Sequence, residues 1–284
     1  MKRALSIAVP ASLVLDIPHL REKTQRIGMV GRAAAIFGVR EILVFPDCPD
    51  RDQRVETRLI STILSYLETP QYLRKRLFKL MPELKCAGVL PPLRTPHHPL
   101  RNRVRDLADG EYRDGVVVAQ TNEGASVDVG VERPALIRGE TPPINARVTV
   151  QLGKGQDVLN GRLVDRAVTG SYWGYRVTSS DVPLGSLLQR RSFDLVVATS
   201  RYGRPLLEVA GDLLDRWRTA QHILVVFGAP TRGVYDIVKQ EGLALTELVD
   251  FVVNVFPRQE VETVRTEEAV YVSLGALSLM AAKG

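Results

Sequence analysis

The residues best suited to chemistry in this chain sit in three short loops. ATSRYG (Ala198–Gly203), FGAPTRG (Phe227–Gly233) and NVFPRQ (Asn254–Gln259) each follow an apolar run that reads as a buried strand. Glycines in the first two let backbone approach a ligand closely. Ligands of open α/β sheets bind outside the carboxyl ends of strands, where these loops stand. The stretch Asn254–Ala269, NVFPRQEVETVRTEEA, is the densest: an amide, then Pro257, Gln259, Thr263 and Arg265 on few residues. It runs into an apolar helix, Glu267–Met280, with Thr266 as its N-cap candidate and Glu267 and Glu268 complementing the dipole of its first turn. Taken alone, the stretch reads equally well as a capped strand-to-helix loop. Three such loops on consecutive strands favour a ligand pocket. Neither GxGxxG nor GxxxxGK[ST] occurs, which argues against a dinucleotide-binding dehydrogenase and against a phosphate-binding loop.

The elements that must hold these loops alternate between strand and helix. Leu5–Val9 and Glu41–Phe45 read as strands, with a helix from Pro18 to Phe37 between them and Gly38 at its end. Arg54–Leu67 is amphipathic, with Leu59, Ile63, Leu64 and Leu67 on one side, and Pro70 opens a further helix to Met81. Later strands are expected at Phe193–Ala198, Ile223–Phe227 and Asp250–Val255. Between the two halves the texture changes. Leu90–Leu100 contains PPLRTPHHPL, too rich in proline for a helix or central strand, and reads as a linker. Tyr112–Ser180 then shows five short alternating runs, at Val116, Val127, Arg147, Gly161 and Trp173, divided by turn residues. Five such strands suit a small antiparallel, OB-like barrel, a fold often used on oligonucleotides. The expected organisation is an α/β domain from residues 1–89 and 183–284, interrupted over 90–182 by a linker and a β insert. Trp173, Tyr172 and Tyr175 are more readily barrel-wall residues than stacking platforms.

Charge points the same way. The formal net charge is +6, and Arg74, Lys75, Arg76, Lys79, Arg94, Arg101, Arg103 and Arg105 cluster with only Glu83 against them. Such a cluster suits contacts to nucleic-acid phosphates, which position rather than specify, although a solvated helix face followed by a linker has the same composition. His97 and His98 fall within it, with no cysteine or carboxylate beside them, and read as surface or RNA contacts rather than metal ligands. Two cysteines, Cys48 and Cys86, exclude a disulfide framework, and no metal is expected. No stretch reads as a transmembrane span or a signal peptide, so the cytoplasm is the expected compartment, with no membrane partner.

Three blocks resemble motifs of the SPOUT superfamily of RNA methyltransferases. QRIGMVGRAAAIFGVREILVF (Gln25–Phe45) is similar to the first, VVFGAPTRG to the second, and PRQEVETVRTEEAVYVSLGAL to the third. The β insert and RTEEA resemble an archaeal and eukaryotic branch of methyltransferases with an OB-like insertion. The resemblance implies a trefoil-knotted α/β domain, a homodimer, and S-adenosylmethionine as cofactor. By position it implies Thr199 and Ser200 in the first cofactor loop and Gly228 in the second. Asn254, Phe256, Pro257, Gln259, Thr263, Val264, Arg265 and Glu267 fall in the third. The dimer would use the apolar face of the last helix, Val270, Leu274, Leu277 and Met280, unless that face packs on its own sheet. Where SpoU-type relatives carry Ser-Leu-Asn, this chain has Thr263-Val264-Arg265, so ribose 2′-O methylation does not follow from the motif and base methylation stays open. The resemblance implies ribosomal RNA as substrate, with uridine N3 slightly ahead of the ribose 2′-oxygen. Helical spacing alone puts Arg32 on a solvent face; the resemblance instead puts it at the target nucleotide as the catalytic cation. The alternative is a catalytically idle RNA-binding or ribosome-assembly factor on the same fold.

Overall fold

The computed structural model describes residues 3–153, 158–190 and 192–282. By contact the chain divides into two units: 1–65, 83–91 and 175–284 in the first, and 66–82 with 92–174 in the second.

The first unit is built on a parallel sheet. Its strands are β1 (Ala4–Pro10), β2 (Glu41–Phe45), β8 (Arg176–Ser179), β9 (Leu195–Pro205), β10 (His222–Val226) and β11 (Phe251–Asn254), in the order β11-β9-β10-β1-β2-β8. Every pairing is parallel. Parallel strands are covered on both faces, which is why β1, β2 and β10 read as unbroken apolar runs rather than alternations. The helices are α1 (Leu20–Ile36), α2 (Arg54–Glu68, whose end passes into the second unit), α4 (Leu184–Gln189), α5 (Leu206–Thr219), α6 (Val234–Gln240), α7 (Leu245–Leu248) and α8 (Thr266–Ala282). On one face of the sheet Ala8, Leu43, Phe45, Val196, Leu224 and Val226 pack with Leu184 and Leu188 of α4, Ile237 of α6 and Leu245 of α7. Each large side chain so buried contributes about 1.5–3 kcal/mol. On α8, Val270, Leu274 and Leu277 are buried within the chain and Met280 is half-buried, so three of the four residues expected to meet a second copy pack within the chain. Its exposed apolar residues are instead Val272 and Leu279.

The second unit contains α3 (Gln71–Leu77) and a closed barrel of β3 (Tyr112–Thr121), β4 (Gly124–Asp128), β5 (Ala135–Arg138), β6 (Arg147–Gly153) and β7 (Asn160–Leu163). Around the barrel the order is β3-β4-β5-β7-β6, antiparallel except for β5 with β7. The core is Val117, Ala125, Val127, Ile137, Val150, Leu152 and their neighbours. Two expectations change here. Ala135–Arg138 is a barrel strand that short length and flanking charge conceal. The run after Trp173 is no barrel strand: Arg176–Ser179 pairs with β2 in the parallel sheet, because alternation reports a half-covered strand and not which sheet it joins. Tyr66–Pro82 also belongs to this unit: Tyr72 donates to the Asp114 carbonyl (2.8 Å) and Arg76 to the Asp128 carboxylate (2.6 Å).

Candidate functional site

In the first unit the three loops converge. β9 pairs with β11 through Ala198 opposite Val252, then resumes with Arg204 opposite Val253, so Thr199–Gly203 bulges from the ladder between them. Gly203 permits this excursion: a Cβ there would lie 2.7 Å from the Val252 carbonyl oxygen. The bulge, the turn after β10 and the segment after β11 enclose a cavity of about 450 Å³, within the range of small-molecule sites.

Thr199, Ser200, Gly228, Asn254, Phe256, Gln259, Thr263 and Val264 all line it. Pro257, Arg265 and Glu267 do not. Pro257 and Arg265 are exposed, and the Arg265 backbone N–H is taken by the Glu268 carboxylate (2.9 Å), which caps α8. Glu267 is 3% exposed and turned away, 3.3 Å from the Arg26 guanidinium. One of its carboxylate oxygens is buried without a partner, and burial raises its pKa. Thr266 is the first residue of the helix, and its hydroxyl does not cap; it donates to the Gly228 carbonyl (2.9 Å), tying α8 to the second loop.

Several polar side chains in the wall tie the loops to each other or brace them from within. Thr199 donates to the Val226 carbonyl (3.0 Å), and Ser200 accepts from the Tyr202 N–H (3.2 Å). The Asn254 amide donates to the Arg201 carbonyl (2.9 Å) while its oxygen accepts from the Phe256 N–H (2.8 Å). Gln259 donates to the Val261 and Glu262 carbonyls. The loop after β10 is closed by its own backbone, Ala229 N–H to Arg232 carbonyl (2.9 Å), and a Cβ on Gly228 would meet that carbonyl at 3.1 Å. Gly228 therefore shapes the turn first, and a bulky residue there disturbs the loop itself.

Several wall residues lay beyond the sequence reading. Arg232 lines the cavity and is held by Asp47 (3.2 Å), a fully buried carboxylate that also accepts from Ser12 and Gln53. Ser273 lines the inner wall; with Thr266 and Ala269 it keeps the three-and-four spacing of one helix face, a signal available in the sequence. Arg32 is half-buried on α1 and lies outside the lining. Burial raises the pKa of the Tyr271 hydroxyl on α8, and the charge of Arg32 partly opposes that shift.

The basic cluster falls wholly in the second unit. Arg74 turns inward: it donates to the Leu67 and Thr69 carbonyls and lies over the Tyr66 ring. Arg76 pairs with Asp128, and Arg101 reaches Glu111 (3.5 Å). Lys75, Lys79, Arg94, Arg103 and Arg105 are exposed. The histidines are not surface groups. His97 is fully buried against Glu68, and burial and the neighbouring His97 push the half-buried His98 down to about 4. Trp173 and Tyr175 are also buried, Trp173 donating to Asp114 (2.7 Å) and Tyr175 to the Leu64 carbonyl (3.2 Å). Among the described residues there is no cluster of metal-ligating side chains, and no helix is long and apolar enough to cross a membrane.

A parallel sheet with a ligand-sized cavity outside its carboxyl ends, in a chain that also folds a closed β-barrel, has the outline of an α/β enzyme with an accessory module. Residues 4–277 match the family described as "Putative RNA methyltransferase", and the chain belongs to that family: it is an RNA methyltransferase. It is 35% identical to an uncharacterized protein of Halobacterium salinarum, over 96% of this chain and 98% of that one. It is 33% identical to the 28S rRNA (uridine-N(3))-methyltransferase of Homo sapiens, covering 96% of this chain and 77% of the relative. The protein of the same name from Drosophila melanogaster is 34% identical, with 96% of this chain and 61% of the relative covered. Family membership sets the idle-factor alternative aside.

Proposed function

We propose that this chain transfers a methyl group from S-adenosylmethionine to N3 of a uridine in ribosomal RNA, using a SPOUT-type knotted domain that works as a homodimer. The observation that carries the reading is the three-loop cavity of a family member whose relatives in human and fly are named for that reaction. The residues fit the cofactor. The volume suits a nucleoside with an amino-acid tail, the wall offers apolar Phe256, Val253 and Ala229 to a flat base, and loop backbone stands at the rim. When bound, S-adenosylmethionine supplies an electrophilic methyl group to an acceptor placed in line with it.

The chain's own residues must seat the acceptor and favour loss of its proton. Uridine N3–H is a weak acid, so a fixed cation beside it favours the ionised, nucleophilic form. Arg32 is that cation in this proposal; a guanidinium is a poor proton acceptor, so its role is to stabilise charge rather than to take the proton. In the OB-like barrel unit, exposed Lys75, Lys79, Arg94, Arg103 and Arg105 would hold RNA phosphates, giving binding that weakens steeply with salt. Arg74, Arg76 and Arg101, engaged within their own unit, would add little. The deciding experiment incubates the protein with large-subunit ribosomal RNA and methyl-labelled cofactor and identifies the product nucleoside by mass spectrometry. Labelled N3-methyluridine supports the reading; label in 2′-O-methyluridine, or none, rejects it.

A further inference from the structure

Among the described residues of the cavity wall, one fully buried side chain has a hydroxyl without a hydrogen-bond partner. Thr199, Asn254 and Thr266 bond across to other segments of the site, and Ser200 and Gln259 bond within their own loops. Ser273 does neither. It lies two turns into α8, is 0% exposed, lines the cavity, and its hydroxyl has no hydrogen-bond partner. A helical serine ordinarily relieves such a hydroxyl by bonding the carbonyl four residues back, which here would be that of Ala269. That bond is not made. A buried hydroxyl without a partner opposes folding, because its hydration is lost and not replaced. An alanine would pack the same site without that cost.

The surroundings say what kind of group would use it. Ala269, one turn before Ser273, is small and leaves room above the helix. The neighbouring wall carries Val253, Phe256 and Ala229, apolar side chains suited to the faces of a planar ring. A cavity that sets apolar side chains and one unpartnered, buried hydroxyl in the same wall suits a heteroaromatic base. A hydroxyl both donates and accepts, and the edge of an adenine presents both kinds of partner.

We infer that the Ser273 hydroxyl is the side chain that hydrogen-bonds the nucleobase edge of the bound cofactor. It is thus a specificity-determining residue of the cavity, a role outside the three loops. The inference rests on the reading that this cavity takes S-adenosylmethionine. It assigns to α8, otherwise a packing helix, the recognition of the base, and leaves the loops to hold their own shape and present backbone.

The test titrates the full chain, wild type and Ser273→Ala, by calorimetry with two probes. S-adenosylhomocysteine carries the nucleoside and the amino acid; 5′-methylthioadenosine keeps the nucleoside and lacks the amino acid. The expected result is a dissociation constant raised about three- to tenfold in Ser273→Ala, by the same factor for both probes. The ligand-free variant should melt at the wild-type temperature or above it, since the substitution removes an orphaned group. That combination, firmer fold with weaker binding, is one that a merely structural serine cannot produce. Unchanged affinity for both probes overturns the inference while leaving the cofactor reading intact. A loss for S-adenosylhomocysteine alone overturns it too, placing the hydroxyl on the amino-acid half. Weaker binding with a lower melting temperature returns Ser273 to packing. If the wild type binds neither probe, the cofactor reading itself fails, and the inference with it.

Discussion

Two buried glutamates, one in each unit, have opposite fortunes. Glu68 lies in the second unit with both carboxylate oxygens on Arg147 (2.6 and 3.1 Å) and one near His97 (3.3 Å). Arg147 also grips Asp114, whose other oxygen accepts from Thr149 (2.9 Å) and Trp173 (2.7 Å). Burial opposes ionisation of Glu68, but the bonds from His97 and Arg147 outweigh it and hold its pKa at about 2 against an ordinary 4.5. Glu267, in the first unit, has one oxygen 3.3 Å from Arg26 and the other bonded to nothing, and burial raises its pKa. Where a buried polar group is fully satisfied by its own chain, it is part of the scaffold. The groups left unsatisfied in α8, Glu267 and Ser273, stand at or beside the cavity. An unmet bond alone does not mark a site, since a Glu83 oxygen is also buried without a partner and lies outside the cavity lining; Ser273 combines the unmet bond with a place in the wall.

The largest effect should come from breaking the satisfied side. Arg147→Met leaves the buried carboxylates of Glu68 and Asp114 without their principal cation, with Arg166 at 3.9 and 3.5 Å as the arginine that remains near them, at a cost of about 3–5 kcal/mol. Urea unfolding measures it, and a loss below about 1 kcal/mol would mean the network is not structural. Binding of S-adenosylmethionine to the folded variant should be unchanged, because the cavity is lined entirely by first-unit residues.

Arg32→Ala probes the other side. Single-turnover transfer at saturating cofactor should fall about 10²–10³-fold with cofactor affinity intact. Arg32→Lys should recover little, since a point charge does not reproduce the planar fork. Wild-type rates in the alanine variant would return Arg32 to a role on the helix surface.

Acid sharpens the contrast. The folded pKa of Glu68 is depressed, so its contribution is present above pH 4.5 and is lost as pH falls toward about 2. The shift corresponds to about 3 kcal/mol. Glu68→Gln should flatten stability across that window, and an unchanged acid limb would show that other carboxylates set it. Glu267 behaves in reverse. Its folded pKa is raised, so any stability it lends is present below its unfolded pKa and disappears as pH rises through the folded value. At neutral pH, Glu267→Gln should therefore stabilise the ligand-free protein, by about 1 kcal/mol, with the gain vanishing in acid. Arg26 keeps Asp16 at 3.5 Å as a partner in that variant. A destabilised variant would mean the Arg26 pair outweighs the orphaned oxygen.

Much of the first unit could be read from sequence because its signals are local. Buried parallel strands are apolar throughout, and β1, β2, β10 and β11 announced themselves that way. The loops after them follow from strand ends alone, and most of the residues expected at the cofactor stand around one cavity. What escaped was non-local. Nothing in SRYG says that β9 rejoins β11 beyond a bulge, since that depends on Gly203 meeting the Val252 carbonyl. Nothing near Arg176 says which sheet its strand extends. His97 and Arg74 look like surface chemistry until the partners that bury them, distant in sequence or in their own backbone, are known. The spacing of Ser273 with Thr266 and Ala269 is visible in the sequence, but the missing partner of its hydroxyl is not.

Hydrogen exchange of the full chain, with and without saturating S-adenosylmethionine, tests the central claim most directly. The account predicts that backbone amides of 199–203, 228–233 and 254–264 gain protection together, while those of the barrel around Asp114 and Arg147 exchange as before. Protection confined to the barrel, or no change in the three loops, would contradict the assignment of the cofactor to the cavity at the carboxyl ends of β9, β10 and β11.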